Sequence, residues 1–509
     1  MLSAGPGDAR GCREEPHSLP QQTQHIWSNP EDPERKFVAQ WDGMELKNKR
    51  VLVVGLGRSG VASAFFLQEH GAKVIVSDSK AEAQLQKEVP ALLDRGISIE
   101  TGRHGERTFR DQDLIVVSPG VPSDQPQLQH ARTLGIPVIG EVELAFRFLQ
   151  GKVLAITGSN GKTTTTTLVG EILAKSGKKT LVGGNIGTPV ISLAGQSTPD
   201  TMVVLEVSSF QLESIEQFCP WVAAILNITP DHLDRHHTFQ AYADAKARIF
   251  ENQHAAHAGG NQQTGDFAVL NADDPACVAL KDKVKGSLLW FSRKQSVENG
   301  AFVKDGQIIF RQNGQEQTVL DRSDIPLKGE HNLENVLAAV AMTMVAGCTP
   351  QQVRQAVQEF RAVEHRLEQV AAINGVTFYN DSKATNVDAT MKALESFPGN
   401  IHIILGGKDK GSDYSVLNPL LRERAKRVYL IGAASDKIAS QIQNSTAVVR
   451  SGTLERAVRQ AFEAAKSGDV VLLAPACASF DQFENYEHRG RVFKELVRAL
   501  APVTTGDRS

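Results

Sequence analysis

Thr157-Gly158-Ser159-Asn160-Gly161-Lys162-Thr163-Thr164 follows the apolar run Val153-Leu154-Ala155-Ile156 and leads into a helical stretch over 163–175. A strand that ends in glycines and opens a helix reads as a phosphate loop. Glycines let backbone N–H groups turn inward on anionic oxygens, Lys162 supplies a point charge, and the Thr163 hydroxyl can ligate Mg²⁺. Ile156 stands where the general pattern G-x-x-x-x-G-K-[ST] has its first glycine, so the loop is the shorter T-G-x-N-G-K-T. The competing reading of a Gly/Ser/Asn cluster is an ordinary turn. The flanking strand and helix favour phosphate binding, and nucleoside triphosphate chemistry leads.

Working outward, short apolar strands alternate with amphipathic helices from Lys49 onward, at 51–54, 74–76, 114–117, 153–156, 203–205 and 223–226. A second series follows at 376–379, 401–405, 428–431 and 470–474. Such alternation predicts parallel α/β sheets. Seams near 146–151 and 360–364 divide the chain into three α/β domains over 44–146, 147–360 and 361–509. The first and last are expected to be Rossmann-like, and the middle one to resemble a phosphate-loop ATPase with a parallel sheet. Residues 1–43, rich in Pro, Gln, Glu, His and Gly, read as a disordered extension. Met44 precedes the first strand, and the functional chain is expected to begin there. The polar stretch 254–265 reads as a loop insertion.

A chain of 509 residues suits roughly three domains at ~150 residues each. Its 55 Lys+Arg against 58 Asp+Glu give a net charge of −3, which offers no footprint for nucleic acid or an anionic membrane. Small-molecule partners are the expectation, in a monomer. The five cysteines, Cys12, Cys219, Cys277, Cys348 and Cys477, lack C-x-x-C spacing, which argues against a zinc site and a disulfide framework. No apolar run approaches the ~20 residues needed to span a bilayer, so a cytoplasmic location is expected.

Several constellations sit where α/β proteins present ligands. Gly55-Leu56-Gly57-Arg58-Ser59-Gly60 follows a strand, and Asp78 ends the next one, matching the dinucleotide fingerprint. Alone it suggests an NAD-dependent oxidoreductase, yet the same geometry serves any ligand with a diphosphate and a ribose. Glu206 closes an apolar run, either as a Mg²⁺-holding acid or as a surface glutamate opening a loop. Residues 227–236 concentrate carboxylate, imidazole and guanidinium groups; His232 suits metal or phosphate, although a lone histidine is more often structural. Lys246 lies on a helix over 241–250, where a lysine is usually just solvated. Asn335 can pair with adenine, whereas Asn332 can simply cap the helix over 336–346. Three polar loops, 381–386, 406–411 and 476–481, follow strands at one edge of the last sheet and suit a compact acidic substrate.

With these loops assembled, the chain resembles the Mur ligases of bacterial cell-wall synthesis from about Lys49 to Val497, the family signature T-G-x-N-G-K-[ST] standing at 157–163. Residues 381–386, 476–483 and 487–490 are similar to the branch that adds D-glutamate to UDP-N-acetylmuramoyl-L-alanine. The resemblance implies that Ser59, Asp78, Ser79 and Gly120 bind the uridine diphosphate part, and that Asn185 and His232 contact the sugar-peptide. It implies that Gly158, Asn160, Gly161, Lys162, Thr163, Thr164, Asn335 and Arg366 hold ATP. Lys383, Thr385, Lys410, Ser479, Phe480 and Tyr486 would place D-glutamate. Two Mg²⁺ ions are implied on Thr163, Glu206, His232 and a carbamylated Lys246, with Lys162, His232 and Lys246 serving catalysis. The implied reaction runs through an acyl phosphate. Lys408 and Asp409 depart from the family's glycine-rich loop, and Tyr486 stands where phenylalanine is familiar.

The nearest alternative is a sibling ligase for another amino acid, or a folate polyglutamate ligase. The C-terminal loops speak against both. An NAD-dependent oxidoreductase or a non-catalytic nucleotide switch would leave Lys162, His232 and those loops without a task.

Overall fold

The computed structural model describes residues 44–254, 265–361, 363–442 and 444–500. The expected extension 1–43 and the interior of the expected insertion, 255–264, lie outside the described residues. From Glu45 the chain is one unit carrying three sheets in succession.

The first sheet holds β1 (Arg50–Val54), β2 (Lys73–Asp78), β3 (Ser98–Thr101), β4 (Leu114–Val117) and β5 (Val138–Gly140), in the order β3-β2-β1-β4-β5. All its pairings are parallel. Val51–Val54 is uniformly apolar and buried because helices cover both faces of such a sheet. Strand order reverses between β1 and β4, so a crevice opens past their C-terminal ends, where 55–60 turns into the helix Arg58–Glu69. A Cβ on Gly60 would lie 1.9 Å from the Gly55 carbonyl oxygen, so only glycine lets helix and strand approach this closely.

The second sheet adds β6 (Lys152–Thr157), β7 (Thr180–Gly184), β8 (Met202–Glu206), β9 (Val222–Ile225), β10 (Phe267–Asn271), β11 (Ser287–Ser292), β12 (Gly300–Lys304), β13 (Gln307–Gln312) and β14 (Gln315–Asp321). Their order is β14-β13-β12-β11-β10-β9-β6-β8-β7, which puts the phosphate-loop strand between β9 and β8. Register then decides the site: Ile156 pairs with Glu206, and Thr157 with Ile225. Glu206 and Asn227 thus flank the loop that follows Thr157. Beneath it the helix Lys162–Lys175 buries Leu168, Val169, Ile172 and Leu173 in one core with Val336, Leu337 and Val340 of the helix Glu330–Val345. Each such side chain stabilises the fold by ~1.5–3 kcal/mol, which anchors the helix whose N-terminus carries the phosphate loop.

The third sheet holds β15 (Glu368–Ile373), β16 (Val376–Asn380), β17 (Ile401–Gly406), β18 (Ala425–Ile431), β19 (Ala447–Gly452) and β20 (Val470–Leu473), in the order β15-β16-β20-β17-β18-β19. The polar loops after β16, β20 and β17 leave the same edge of three adjacent parallel strands.

Two expectations are corrected. The central sheet is parallel through β12 but not throughout, because β13 and β14 add antiparallel at its far edge. Their hairpins turn at Asp305-Gly306 and Asn313-Gly314, all four residues with positive φ, the Asp-Gly and Asn-Gly signals of tight turns. Asn332 is not a cap, since Gly329 is the N-cap residue of Glu330–Val345 and the Asn332 amide donates back to the Lys328 carbonyl at 2.7 Å.

Glu141 opens the helix Glu141–Phe146 fully buried; its Oε1 accepts the Ile191 N–H at 2.8 Å while Oε2 has no partner among the described residues. Burial pushes the carboxyl from its ordinary 4.5 up to about 7, against the backbone N–H groups of Ile191 and Val190. The folded chain therefore holds this proton more tightly than the unfolded chain. Its stabilising share is full below the unfolded value and is lost as pH rises through about 7, at ~1.4 kcal/mol per unit. Glu141→Gln is expected to remove this dependence, so thermal unfolding measured at about pH 5 and about pH 8 should diverge less than in the unsubstituted chain. Equal divergence in both proteins would count against a neutral Glu141.

Candidate active site

The phosphate loop is shaped by backbone that side chains rarely tolerate. Gly161 sits at φ 88°, and a Cβ there would lie 2.2 Å from Asn335 Oδ1, so only glycine closes the loop against that helix. Helix Lys162–Lys175 starts immediately after, aiming its free N–H groups at the loop. Lys162 Nζ folds back to donate to the Gly158 and Ser159 carbonyls, each at 2.9 Å. Burial pulls its ammonium below the ordinary lysine range, with Glu206 and Asp231 opposing.

Thr163 Oγ1 donates to Glu206 Oε2 at 2.8 Å, and Asn185 Nδ2 donates to Glu206 Oε1 at 2.8 Å. Glu206 is buried, which by itself would raise its pKa. The charges of Lys383 and Lys162 win, and the carboxyl lies below its ordinary value. Of the two readings left open for Glu206, the surface glutamate is excluded. Lys246, also buried, donates from Nζ to the Gly158 carbonyl at 2.9 Å and to Thr157 Oγ1 at 3.5 Å, and lies 4.5 Å from the centre of the Tyr242 ring. Two lysines thus converge on one carbonyl. Burial first, then the Lys162 charge, lowers the Lys246 pKa well below the ordinary lysine value, which disfavours its charged form.

His232 adopts φ 54° ahead of the short helix Leu233–His236, which turns its ring toward the loop and against Phe210 edge-on. Burial pulls it down to about 4 despite Asp231, so the ring is neutral with a lone pair to offer. Asp231 is buried beneath, accepting from Asn386 Nδ2 at 2.9 Å and pairing with Lys410 Nζ at 3.5 Å.

Those last two partners come from the third sheet, whose loops meet the phosphate loop directly. Lys383 Nζ donates to Thr163 Oγ1, and Asn160 Nδ2 donates to Asp388 Oδ2 at 2.5 Å. Burial lowers the Lys383 ammonium to about 8 against the pull of Glu206. Behind these loops Arg489 is fully buried; Nε and Nη2 donate to Ser382 Oγ and O at 3.0 and 2.8 Å, and both Nη atoms reach the Cys477 carbonyl at 3.2 Å. It ties the loop after β16 to the loop after β20. Ser479 is buried at that edge, Thr385 donates its N–H to Lys383 O, and Tyr486 lies with its ring centre 5.1 Å from Lys383 Nζ. Phe480 is 67% exposed. The departures at 408 and 409 have structural work: Lys408 pairs its backbone with Ala478, and Asp409 accepts from Tyr414 Oη at 2.8 Å and Lys437 Nζ at 2.7 Å.

Asn335 and Arg366 line one narrow cleft with Asn160, Gly161, His331 and Lys392, beside the phosphate loop. Ser59, Asp78, Ser79 and Gly120 lie apart from it, at the C-terminal edge of the first sheet. There Asp78 accepts from the Leu56 and Lys80 N–H groups at 2.7 and 2.8 Å, holding the glycine loop in shape. Arg235 fixes that edge to the central sheet by donating to the Pro119 and Val121 carbonyls, both at 3.0 Å, and to Glu213 at 2.8 Å.

Sequence reading singled out neither Asp231, Arg235, Asp388 nor Arg489 for a role. Each acts on a residue more than a hundred positions away in the chain or through burial, and no local spacing signals that. The available signals were slight: Asp231 and Arg235 belong to the charged run 227–236, and Arg489 to the stretch 487–490 that carries the family resemblance.

The pattern matches known proteins over most of the chain. The Mur ligase middle domain matches residues 156–343, the Mur ligase MurD-like N-terminal domain residues 49–140, and the Mur ligase glutamate ligase domain residues 365–477. The UDP-N-acetylmuramoylalanine–D-glutamate ligase of Koribacter versatilis is 63% identical over 458 residues, covering 90% of this chain and 99% of that protein. The enzyme of the same name from Acidobacterium capsulatum is 57% identical, covering 90% and 97%. Among solved structures, the MurF ligase of Thermotoga maritima in complex with ADP shares the fold at a TM-score of 0.55 and 19% identity, covering 90% of this chain and 97% of that one. A pseudomurein peptide ligase type C from Methanothermus fervidus does so at 0.54 and 21%, covering 89% and 100%. With three family domains in order along the sequence and relatives this similar over nine-tenths of it, the chain belongs to the Mur ligase family.

Proposed function

We propose that this chain ligates D-glutamate to UDP-N-acetylmuramoyl-L-alanine at the expense of ATP, a step of peptidoglycan precursor synthesis. The observation that carries the reading is the meeting of the phosphate loop with the lysine-bearing loops of the third sheet: Lys383 on Thr163, Asn160 on Asp388, Lys410 on Asp231. A nucleotide-binding switch needs no such second edge. The relatives named for this reaction are similar over the first and third sheets as well as the loop between them.

In this reading 44–146, 147–360 and 361–509 are the domains for the uridine diphosphate substrate, ATP and the amino acid. Gly158, Asn160, Gly161, Lys162, Thr163 and Thr164 cradle the ATP phosphates, and Asn335 with Arg366 completes the nucleotide cleft. Ser59, Asp78, Ser79 and Gly120 take the uridine diphosphate end, while Asn185 and His232 face the sugar-peptide. The substrate carboxylate attacks the γ-phosphorus and ADP departs. The amine of D-glutamate, placed by Lys383, Thr385, Lys410, Ser479, Phe480 and Tyr486, then attacks the acyl carbon and phosphate leaves. Positioning and charge neutralisation do most of the work.

The residues present fit Mg²⁺. Lys383 Nζ already stands against Thr163 Oγ1 beside the buried Glu206 carboxylate, which marks oxygen atoms placed to meet a cation. Thr163 and Glu206 would hold one ion, His232 and carbamylated Lys246 a second, and the ions would neutralise charge between phosphate and carboxylate. Lys246 fits carbamylation because burial disfavours its ammonium, and the neutral amine is the form that adds CO₂. Among the described residues no helix is long and apolar enough to cross a membrane. A cytoplasmic monomer without nucleic-acid partners fits the reading.

A substrate panel tests it: phosphate release from ATP is expected only with UDP-N-acetylmuramoyl-L-alanine and D-glutamate together. Equal turnover with L-glutamate, L-alanine or a diamino acid would reassign the chain to a sibling activity.

A further inference from the structure

At the opposite end of the central sheet three potential metal ligands converge. Cys219 lies three residues before β9 begins, Asp266 directly precedes β10, and Val222 pairs with Phe267 in register, so the two strand starts bring both side chains together. His254 joins them from the end of the loop after the short helix Arg248–Phe250. Cys219 Sγ lies 3.8 Å from His254 Nδ1 and 3.6 Å from Asp266 Oδ2, and these last two atoms are 3.3 Å apart. A tetrahedral zinc ion ~2.0–2.3 Å from sulfur, nitrogen and oxygen ligands requires such atoms to stand ~3.3–3.6 Å apart. The three observed edges therefore outline one face of a tetrahedron to within a few tenths of an ångström.

We propose that Cys219, His254 and Asp266 form a zinc site with an open fourth position, separate from the catalytic edge. Thiolate, imidazole and carboxylate together select zinc over the magnesium proposed at the phosphate loop, which takes oxygen ligands. The scaffold is rigid where it must be. Asp266 is buried; its Oδ2 also accepts the His254 N–H at 2.8 Å, and its backbone N–H donates to the His254 carbonyl at 3.1 Å. Gln253 Nε2 bridges the Pro220 and Phe267 carbonyls, both at 2.9 Å, locking the three ligand-bearing segments together. The His254 side chain is 67% exposed, which leaves a path for metal and a place for a water ligand.

Without metal the thiol keeps its proton, directed at the Asn252 carbonyl 3.1 Å away or at Asp266. Zinc replaces that proton, which is released to solvent, and the thiolate becomes the ligand. The absence of C-x-x-C spacing was a reason to expect no zinc site. That reasoning covers only ligands close in sequence, whereas these lie 35 and 12 residues apart and meet through strand register. Binding would tie His254 to the strand starts at Cys219 and Asp266 and leave the reaction untouched.

The test is cobalt(II) titration of the metal-stripped full chain in excess Mg²⁺. One equivalent is expected to bind with a thiolate-to-cobalt charge-transfer band that zinc abolishes by displacement. The band should vanish in Cys219→Ser, persist in Cys12→Ser, and require at least ~10-fold more cobalt in His254→Ala, in line with the loss of one ligand. His254→Ala is expected to retain full ligase turnover. No band in the unsubstituted chain, a band that survives Cys219→Ser, or unchanged affinity in His254→Ala overturns the site.

Discussion

Lys246→Ala is expected to lower kcat by ~10²–10³-fold, the scale of losing one group that stabilises transition-state charge. The Lys246 amine is buried among Thr157, Gly158 and the Tyr242 ring, and that burial, with the Lys162 charge, pulls its pKa down toward the neutral form. A neutral amine adds CO₂, loses one proton and becomes a carbamate, so the side chain changes from a potential cation to an anion with two oxygen ligands. Three readouts separate this from a packing role. Activity of the unsubstituted chain should fall in CO₂-free buffer and return with bicarbonate; acidification should act in the same direction as CO₂ removal, because protons reverse the addition. In Lys246→Ala, acetate or formate should restore part of the rate by occupying the vacated volume with a carboxylate. An alanine variant with full activity, or one indifferent to small carboxylates, would refute the carbamate.

Lys162→Met is expected to cost ~10³-fold in kcat and to weaken ADP binding as well. At present Nζ is satisfied by the Gly158 and Ser159 carbonyls, a resting arrangement that costs little to break when phosphate oxygens arrive. Methionine keeps the length and removes the charge. Lys162→Arg should rescue poorly, because the planar guanidinium does not fit where a compact ammonium bonds two adjacent carbonyls. Calorimetric ADP titration together with single-turnover acyl-phosphate formation distinguishes binding from chemistry. A loss smaller than ~10-fold in both would remove Lys162 from the γ-phosphate.

Much of the fold was legible because buried parallel strands are continuous apolar runs, and 51–54, 114–117 and 401–405 coincide with strands to within a residue or two. The strands β12–β14, toward one edge of the sheet, carry only two or three consecutive apolar residues each among polar ones, and announce themselves through Asp-Gly and Asn-Gly turns instead. The glycine-rich loop at 157–164 was legible for a similar reason, since its glycines, lysine and threonine lie within eight consecutive residues. Glu206, His232 and Lys246 were visible only as ambiguous single residues, because a carboxylate, an imidazole or an amine takes its meaning from its surroundings.

By itself the sequence determined local features: an α/β chain of three units, a glycine-rich strand-to-helix loop, and lysine-bearing polar loops following the strands of a last sheet. Tertiary structure alone decided which groups face one another. The pairing of Ile156 with Glu206 delivers the acid to Thr163, and the contact of Lys383 with Thr163 joins two sheets at one centre. Only burial pulled the Lys246 pKa down from that of a solvated ammonium, and only strand register, with the hydrogen bonds between His254 and Asp266, gathered Cys219, His254 and Asp266. The physical reason is common to all of these. Coulombic, desolvation and metal-coordination terms depend on distances of a few ångströms through space, and those distances are set by packing between segments far apart along the chain.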